Sequence, residues 1–438
     1  MTASADPGST AFATRQIQAG YLPGTPQNSA VPPIYQTAAF QFASLADAAD
    51  LFALRKAGNL YSRNASPTQQ VLEERVTALE GGTSAVAVAS GQAAVAVTLL
   101  ALAGRGGHIV SAHQLYGGTV DLFQDTFDDF GIEVTFVDQD DADAWRDAVR
   151  PTTRALFAES IANPIAQVLD FRLVADIAHS AGVPLVIDNT VGTPYLVRPG
   201  EHGADFVVHS ATKFLSGHGT SLGGVVVDQG SFDFGAQPER WPQFTSPYPR
   251  FGELVLWERF GIGQAFAALV KSKYVHDLGP SLSPFNAWQI LQGIETLDLR
   301  VSRQSATALT LAEHLAKHPK VAAVHHPGLE GNRWHALAER YLPRGVPSVF
   351  SIDLLGAEDA GAQARIAQVV DSLEVFRLVA NIGDARSLVS HPASMTHSHL
   401  NAAQRAAAGI SLNTIRLSAG LEDPADLIAD LDSALARI

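Results

Sequence analysis

VPLVIDNTVGTPYLVRPGEHGADFVVHSATK, residues 183–213, holds two short apolar segments that each end in polar side chains. The first segment, 183–190, ends in Asp-Asn-Thr, and the second, 204–213, ends in His-Ser-Ala-Thr-Lys. Apolar, β-branched runs of this length are typical of buried parallel strands, whose carboxyl ends carry function in α/β proteins. The stretch therefore predicts an α/β fold in which Asp188 and Lys213 lie near the ends of successive strands.

Lys213 stands between small hydroxyl residues and a glycine-rich segment, in HSATKFLSGHGTSLGG (209–224). The ordinary alternatives are a solvated loop lysine and, for Asp188, a turn residue. Pyridoxal phosphate gives both residues a chemical use, because its aldehyde forms a Schiff base with lysine and its pyridinium proton needs an acidic partner. In this hypothesis Lys213 is the covalent anchor and Asp188 is the pyridinium partner. The hydroxyls of Ser210 and Thr212 are expected to bind the phosphate.

The composition indicates a large apolar core and an acidic surface. Of the 438 residues, 46% are hydrophobic and 17% are charged, and the formal net charge is −14. A chain of this length exceeds one ordinary core, so two domains are expected. The acidic balance disfavours binding to nucleic acids and to anionic membranes. The chain has no cysteine, which excludes disulfides, cysteine-ligated metals and thiol nucleophiles and is compatible with the cytoplasm, the compartment we expect.

Neither a membrane span nor a secretory signal is expected. Residues 85–104, AVAVASGQAAVAVTLLALAG, are the stretch that most resembles a span, but Ser90, Gly91 and Gln92 interrupt it. The stretch predicts a strand, a turn and a short apolar helix, whose first amides at Gly91 and Gln92 can bind an anion. A plain buried helix start is the alternative. Residues 1–21 lack both a basic and an apolar leader segment.

The pattern along the chain divides it into three parts. Residues 1–64 hold several prolines and few periodic segments, which predicts an extended N-terminal arm. Residues 65–275 alternate strand-like and helical runs, as in an α/β domain with a mostly parallel central sheet. Residues 276–438 begin with a long helical stretch, 283–318, and continue as a smaller C-terminal α/β domain. Strands are expected at 84–90, 108–112, 132–138, 154–160, 184–190, 205–210, 223–227, 349–355, 375–380 and 413–420, and helices also at 363–373 and 424–438.

Seven short motifs follow one another in an order that resembles one family. They are YSR (61–63), SGQ (90–92), LYGGT (115–119), ESIANP (159–164), DNT (188–190), HSATK (209–213) and RLSAGLED (416–423). From about residue 12 to its end, the chain resembles the Cys/Met-metabolism family of pyridoxal-phosphate enzymes. The resemblance implies an aspartate-aminotransferase-like fold, fold type I, and pyridoxal 5'-phosphate as the cofactor.

The resemblance also implies a role for each matched position. Lys213 is again the Schiff-base lysine and Asp188 the pyridinium partner. The other implied cofactor ligands are Gly91, Gln92, Ser210 and Thr212 at the phosphate, Tyr61 and Arg63 reaching it from a neighbouring subunit, Tyr116 stacked on the ring, and Asn163 at the ring hydroxyl. Tyr116 is also implied in proton transfer. The implied substrate ligands are Arg416, which clamps the carboxylate, Ser387 and Asn381. A site shared between subunits implies a dimer, and the resemblance extends this to a homotetramer of dimers.

Three longer stretches, 217–228, 283–300 and 381–397, resemble the O-acetylhomoserine sulfhydrylases in particular. Gly118 supports this likeness, because the similar methionine γ-lyases usually have a cysteine there. One departure is that the family generally reads Asn-Pro-Thr where this chain has Ser66 before Pro67. The implied reaction is a γ-replacement in which Lys213 carries protons and acetate leaves O-acetyl-L-homoserine. Sulfide or a small thiol then adds, giving homocysteine or methionine.

Other activities remain alternatives. The chain could use O-succinylhomoserine, as cystathionine γ-synthases and O-succinylhomoserine sulfhydrylases do, or it could be a methionine or cystathionine γ-lyase. A noncatalytic member that only binds the cofactor is disfavoured by the intact Lys213, Asp188 and Arg416. His391, His397 and His399 are close in sequence, but no carboxylate or cysteine accompanies them, so we expect no metal site.

Overall fold

The computed structural model of the chain describes residues 10–21, 28–359 and 361–438. Every strand expected from an apolar run is present, and β5, β6, β10 and β13 are additional. The strands of these residues are β1 Ser84–Val88, β2 His108–Ala112, β3 Glu133–Val137, β4 Thr153–Glu159, β5 Ile161–Ala162, β6 Gln167–Val168, β7 Leu185–Asp188, β8 Phe206–His209, β9 Gly224–Asp228, β10 Val321–His325, β11 Val349–Leu354, β12 Arg377–Leu378, β13 Leu388–Ser390 and β14 Thr414–Ser418.

A seven-stranded sheet forms the centre of the larger part of the fold. Its strand order is β1-β9-β8-β7-β4-β2-β3, and β8, β7, β4, β2 and β3 are parallel neighbours. β9 is antiparallel to both strands beside it. Most residues of these strands are buried, because helices cover both faces, which is why the strands appear in the sequence as continuous apolar runs. The mostly parallel central sheet is therefore confirmed.

A second sheet forms the centre of the C-terminal part. Its strand order is β10-β11-β14-β13-β12, with antiparallel pairs except between β13 and β12. The smaller C-terminal α/β unit is thus confirmed. One continuous apolar core, which extends from Phe12 to Leu435, joins the two sheets.

Helices pack around both sheets. The predicted helical stretch 283–318 is two helices, α14 and α15, that are separated at Glu295 and Thr296. Short π-helical turns join α5 to α6 and α12 to α13. The helices are α1 Phe12–Gln18, α2 Leu45–Phe52, α3 Pro67–Glu80, α4 Gly91–Ala103, α5 Gly117–Asp121, α6 Phe127–Asp129, α7 Ala142–Ala148, α8 Phe171–Ser180, α9 Thr193–Leu196, α10 Pro242–Thr245, α11 Leu256–Phe260, α12 Ala265–Leu269, α13 His276–Leu278, α14 Pro284–Ile294, α15 Leu297–Leu315, α16 His335–Tyr341, α17 Ala362–Val370, α18 Ala402–Ala407 and α19 Pro424–Leu435.

The predicted strand, turn and helix at 85–104 are confirmed as β1 and α4. Ser90 caps α4 by accepting a hydrogen bond from the amide of Ala93 at 3.1 Å. Within the part of the chain that the structure describes, no helix has both the length and the apolar character that crossing a bilayer requires.

The N-terminal region contains two different segments. Residues 12–18 form a helix instead of extended chain, and Phe12 is buried against Tyr195 of the same chain. Residues 28–64 have little regular structure apart from α2. Residues 1–9 and 22–27 of the predicted arm lie outside the described residues. The predicted domain boundary at 275/276 falls inside the helical segment that runs from 265 to 278.

Ser66, where the family generally has asparagine, caps α3. Its hydroxyl accepts a hydrogen bond from the amide of Gln69 at 3.3 Å. Serine and asparagine are nearly equivalent as the N-cap, the residue just before the first turn of a helix. The departure from the family pattern therefore preserves the start of α3.

Asp430 of α19 is expected to be important for the stability of the small unit. Its buried carboxylate accepts hydrogen bonds from the amides of residues 374–376, at 2.8, 3.0 and 3.0 Å. Asp430→Ala leaves these amides without their acceptor, so the free energy of unfolding should fall by about 2–3 kcal/mol. The measurement is the thermal unfolding midpoint of the variant against the parent.

Asp432→Ala on the same helix is the matched control. Asp432 is 43% exposed and pairs with His314, so its loss should cost no more than about 1 kcal/mol. Equal destabilisation by the two variants would contradict the role assigned to Asp430.

Candidate active site

The strands that carry the predicted site end side by side. β4, β7 and β8 are parallel neighbours, and their register pairs Glu159 with Asp188 and Asp188 with Val208. The chain leaves β8 at His209 and enters directly the turn that holds Lys213. Glu159, Asp188 and Lys213 therefore meet at the carboxyl edge of the sheet, where open α/β sheets bind ligands.

A cavity of about 180 Å³ opens at this edge. It lies between the large sheet and a segment of the small unit, 380–382. A wider cleft of about 1260 Å³ elsewhere on the described residues contains none of the predicted site residues. Ten residues predicted from the sequence line the smaller cavity, namely Gly91, Gln92, Tyr116, Asn163, Asp188, Ser210, Thr212, Lys213, Asn381 and Arg416.

The N-terminus of α4 forms one wall of the cavity. The first amides of a helix have no acceptor within the helix, and here they belong to Gly91 and Gln92. A Cβ on Gly91 would lie 2.5 Å from the Cβ of Ser210, so glycine allows the helix to approach the turn before Lys213. The helix terminus and the turn together offer backbone donors to an anion.

The two hydroxyls predicted at the phosphate differ in their surroundings. Among the described residues, the Ser210 hydroxyl has no hydrogen-bond partner, although its amide donates to Thr190 Oγ1 at 2.8 Å. The Thr212 hydroxyl accepts the amide of Gly223 at 3.0 Å. Ser210 can therefore bind an anion directly, whereas Thr212 also closes the turn around Lys213.

Side chains behind the cavity hold the segment that carries Tyr116. Gln92 donates to the carbonyl oxygen of Gly118 at 2.7 Å and accepts from Thr119 at 3.1 Å. The amide of Tyr116 donates to Glu159 at 2.6 Å, while its ring is exposed at the cavity. These contacts hold the backbone from which the Tyr116 ring extends.

The Lys213 amine is half-buried in the cavity. It donates to Asn381 Oδ1 at 2.5 Å. Burial, and to a smaller extent the nearby Arg416 guanidinium, lowers the pKa of Lys213 from 10.5 to about 8. A lysine amine in this range is available for nucleophilic attack and for proton transfer near neutral pH.

Two carboxyl groups lie side by side under the cavity. Burial raises the pKa of Glu159 to about 8, and the neighbouring Asp188 adds to the rise. Burial also raises the pKa of Asp188, although Thr190 opposes this by donating its amide to Oδ1 at 2.9 Å. Two adjacent carboxyls without a bound cation favour the neutral form. A cationic group that binds Asp188 would relieve this.

Arg416 of β14 is buried without a carboxylate partner among the described residues. Its guanidinium donates to Asn163 Oδ1 at 3.2 Å and to the carbonyl oxygen of Asn381 at 2.9 Å. Burial lowers the pKa of Arg416 to about 10, which still leaves it charged at neutral pH. A buried cation with neutral partners is suited to a carboxylate ligand.

Three predicted residues lie outside this cavity. Ser387 is fully buried, and its hydroxyl donates to Glu422 at 2.8 Å and accepts the amide of Gly420 at 2.9 Å. The Ser387 hydroxyl is thus used within the fold, and a role as a substrate ligand stays a prediction. Tyr61 and Arg63 line a separate groove beside α2.

Two acidic residues near the site were missed from the sequence. Glu159 opens the ESIANP motif at the end of a strand, and that position was the available signal. Glu80 lies deeper, where its carboxylate accepts from His209 Nε2 at 2.6 Å and from Asn189 at 2.9 Å. It comes from α3, more than 100 residues earlier in the chain, so only the fold could reveal it.

The three C-terminal histidines have separate partners. His391 Nδ1 is 2.8 Å from Ser394 Oγ, His397 Nδ1 is 2.9 Å from Thr396 Oγ1, and His399 pairs with Asp121 at 3.0 Å. Within the described part of the chain, no group of three or more metal-binding side chains is assembled.

Comparison with known families gives one match over almost the whole chain. The family described as Cys/Met metabolism PLP-dependent enzyme matches residues 13–436. The chain belongs to this family. Its cofactor is accordingly pyridoxal phosphate.

Individual members of the family are similar along their full lengths. The O-acetyl-L-homoserine sulfhydrylase of Leptospira meyeri is 46% identical, over 97% of this chain and 96% of that protein. The homocysteine synthase of Schizosaccharomyces pombe is 42% identical, over 97% and 98%.

A solved structure agrees with these relatives. A Campylobacter jejuni protein described as an O-acetylhomoserine (thiol)-lyase, solved with N'-pyridoxyl-lysine-5'-monophosphate, is 38% identical with a TM-score of 0.92. The match covers 97% of this chain and 99% of that one. The aspartate-aminotransferase-like fold, fold type I, is thereby confirmed.

The lowered pKa of Lys213 can be tested on the cofactor-free protein. The rate of acetylation of its amine by acetic anhydride should rise with pH to a plateau with a midpoint near pH 8, because burial disfavours the ammonium form. Mass spectrometry of the peptide that contains Lys213 measures this rate, with Nα-acetyl-lysine as the reference amine. In Arg416→Met the midpoint should move upward, since a neighbouring positive charge is removed. A midpoint near 10.5 in the parent would contradict the described environment.

Glu159 predicts a pH dependence of stability. Its pKa in the folded protein, about 8, is above the ordinary value of 4.5, so the folded protein binds more protons between these values. The contribution of Glu159 to the stability of the folded protein is fully present below pH 4.5 and is lost as the pH rises through 8. Relative to the parent, Glu159→Gln should therefore gain thermal stability steadily from pH 5 to 8.5.

Glu133→Gln is the control for the loss of one exposed carboxyl, since Glu133 is 73% exposed. Differential scanning fluorimetry of the cofactor-free proteins gives the unfolding midpoints. A constant difference between Glu159→Gln and the parent over this pH range would refute the assignment.

Proposed function

We propose that this chain is an O-acetylhomoserine sulfhydrylase, a transferase that acts by γ-replacement. It converts O-acetyl-L-homoserine and sulfide, or a small thiol, to L-homocysteine, or L-methionine, and acetate. The observation that carries the proposal is that Arg416, a buried cation without a carboxylate partner among the described residues, faces the same cavity as the Lys213 amine. Such a cavity suits an α-amino acid, whose carboxylate binds the guanidinium. The names of the similar proteins support O-acetyl-L-homoserine as that amino acid.

The donor set of the cavity fits pyridoxal phosphate. The amides of Gly91 and Gln92 and the hydroxyl of Ser210 suit the phosphate, as neutral donors around a helix terminus. The Thr212 hydroxyl would join them by turning away from the carbonyl oxygen of Gly223, to which it donates at 3.2 Å. Asp188 suits the protonated ring nitrogen, which supplies the cation that this carboxyl lacks. With the cofactor bound, Lys213 would be its covalent attachment point, Tyr116 would lie over the ring, and Asn163 would hold the ring hydroxyl. When bound, the cofactor supplies an electron sink for the carbanion at the substrate α-carbon.

The side chains around the cavity have separate roles in substrate binding and proton transfer. Arg416 binds the substrate carboxylate and thereby orients the α-carbon, with Asn381 beside it. Lys213 takes the α-proton as a free amine, which its lowered pKa allows near neutral pH. Asn381 Oδ1 holds the Lys213 amine at 2.5 Å. Tyr116, exposed at the cavity, assists proton transfer.

We also propose that the site is shared between subunits. Tyr61 and Arg63 line a groove with several apolar side chains, away from the cavity of their own chain, and Tyr61 is half-exposed. These features support contact with a neighbouring subunit, where both residues reach the phosphate. The assembly is a homotetramer of two such dimers, and it works in the cytoplasm.

We propose that each chain has three domains. They are an arm (1–64), a cofactor domain (65–275) and a C-terminal domain (276–438).

The test is product identification with the cofactor-loaded protein. O-acetyl-L-homoserine is supplied with and without sulfide, and amino and keto acids are identified by mass spectrometry. Homocysteine should form only with sulfide, because the departing acetate must be replaced by a nucleophile. Lys213→Ala should reduce turnover by at least about a thousandfold, since it removes both the attachment point and the base.

Parallel incubations separate the alternatives. O-succinylhomoserine replaces the acetyl donor in one, and methionine or cystathionine alone is supplied in another. A preference for the succinyl donor would indicate a cystathionine γ-synthase or O-succinylhomoserine sulfhydrylase. A keto acid from methionine or cystathionine, with no homocysteine, would replace the proposal with a γ-lyase.

A further inference from the structure

Helix α15 reaches both segments that bring Lys213 and Asn381 together. It carries Arg300 and Gln304 one turn apart, so both side chains leave the same face of the helix. Arg300 is 5% exposed and Gln304 is 0% exposed. Neither residue lines the cavity.

Arg300 binds the turn that follows Lys213. Its Nη2 donates to the carbonyl oxygen of Phe214 at 2.9 Å and to that of Gly293 at 2.7 Å. A Cβ on Gly217 would lie 2.1 Å from Arg300 Nη1, so the guanidinium lies directly against this glycine. The amide of Gly217 in turn donates to the carbonyl oxygen of Lys213 at 2.7 Å. Arg300 therefore contacts the turn at two places, at Phe214 just after Lys213 and at Gly217, whose amide closes the turn.

Gln304 binds the segment that carries Asn381. Its Nε2 donates to the carbonyl oxygen of Asp384 at 2.7 Å. The next amide, that of Ala385, donates to the carbonyl oxygen of Gly217 at 2.9 Å. The two segments are thus joined to each other as well as to α15. The two segments also meet at the cavity, where the Lys213 amine donates to Asn381 Oδ1 at 2.5 Å.

The use of arginine at this position is costly. Among the described residues Arg300 has no acidic partner, and its Nη1 has no hydrogen-bond acceptor. Burial of a guanidinium with only neutral partners is unfavourable, and an apolar side chain of similar volume would often serve packing as well. An apolar side chain lacks the N–H donors of the guanidinium. These donors indicate that Arg300 serves to position the carbonyl groups of Phe214 and Gly293.

We propose that Arg300 and Gln304 are positioning residues that fix the Lys213 amine for attack on the cofactor aldehyde, a condensation that forms a carbon–nitrogen double bond and releases the aldehyde oxygen as water. Arg300 holds the turn of Lys213, Gln304 holds the segment of Asn381, and α15 sets the distance between them. The inference rests on the proposed function only in taking Lys213 as the attachment point. It requires no assumption about the amino-acid substrate.

The experiment measures attachment of pyridoxal phosphate to the cofactor-free full-length protein. After timed exposure over pH 6.5–9.5, borohydride reduction fixes the adduct, and peptide mass spectrometry quantifies it at Lys213. The variants are Arg300→Lys, which keeps the charge but loses the fork of donors, and Gln304→Met, which keeps the volume but loses the donor. Thermal midpoints are recorded for each protein.

Arg240→Lys is the matched control. Arg240 also donates to two backbone carbonyls, those of Ala181 at 2.8 Å and Thr153 at 2.7 Å, but it lies outside the cavity and α15. Its replacement should lower the thermal midpoint and leave the attachment rate within about twofold of the parent.

Attachment in Arg300→Lys and Gln304→Met should slow by about tenfold or more, because small displacements of reacting groups have large effects on rate. Parent-like rates in both folded variants would overturn the inference while leaving the proposed function intact. An equal loss of rate in Arg240→Lys would also overturn it, since general destabilisation would then be the cause. If Arg300→Lys does not fold, Gln304→Met decides alone. No attachment at Lys213 in the parent would overturn the inference and the proposed function together.

Discussion

The parallel register of β4, β7 and β8 is the constraint on which the site depends. Because the three strands run in one direction, their polar ends meet at one edge, and Asp188 lies between Glu159 and the start of the Lys213 turn. A slip of one residue would exchange the two faces of a strand and move the Asp188 carboxyl into the apolar layer. The antiparallel β9 beside β8 extends the constraint. Its Gly224 lies so close to α4 that a Cβ would be 2.0 Å from the carbonyl oxygen of Ser90.

The charges at this edge are stabilised poorly by the protein alone. Burial lowers the pKa of Lys213 and Arg416 and raises that of Asp188 and Glu159, so each group is displaced toward its neutral form. Sites that perform chemistry often keep such unfavourable arrangements, and the remainder of the fold compensates for them. A bound anion, ring cation and carboxylate would supply the missing counter-charges. Ligands of that kind stabilise the folded protein in proportion to their binding.

Much of the fold and most of the cavity could be predicted from the sequence. Buried parallel strands are continuous apolar runs, so each was recognisable without its neighbours. β10 was missed because it is an edge strand whose residues are only partly buried, and β13 because it is only three residues long. Asn381 and Ser387 show why the rest could not be predicted. Both are polar and lie in the same loop-rich stretch, yet Asn381 meets Lys213 while Ser387 is buried against Glu422. That difference depends on tertiary hydrogen bonds to residues far away in the chain, as does the position of Arg300.

The junction between the two sheets adds a second constraint to the one that the parallel strands impose. Arg416 belongs to the small sheet, but its guanidinium donates to Asn163 from the large unit as well as to Asn381 from the small one. Lys213 makes the reciprocal contact from the large unit to Asn381. A rotation of one unit against the other would break the Arg416–Asn163 and Lys213–Asn381 bonds together and disturb the shared apolar core. The separation of the amine from the guanidinium is therefore fixed before substrate binds, and a substrate must match that separation with its own α-carbon and carboxylate.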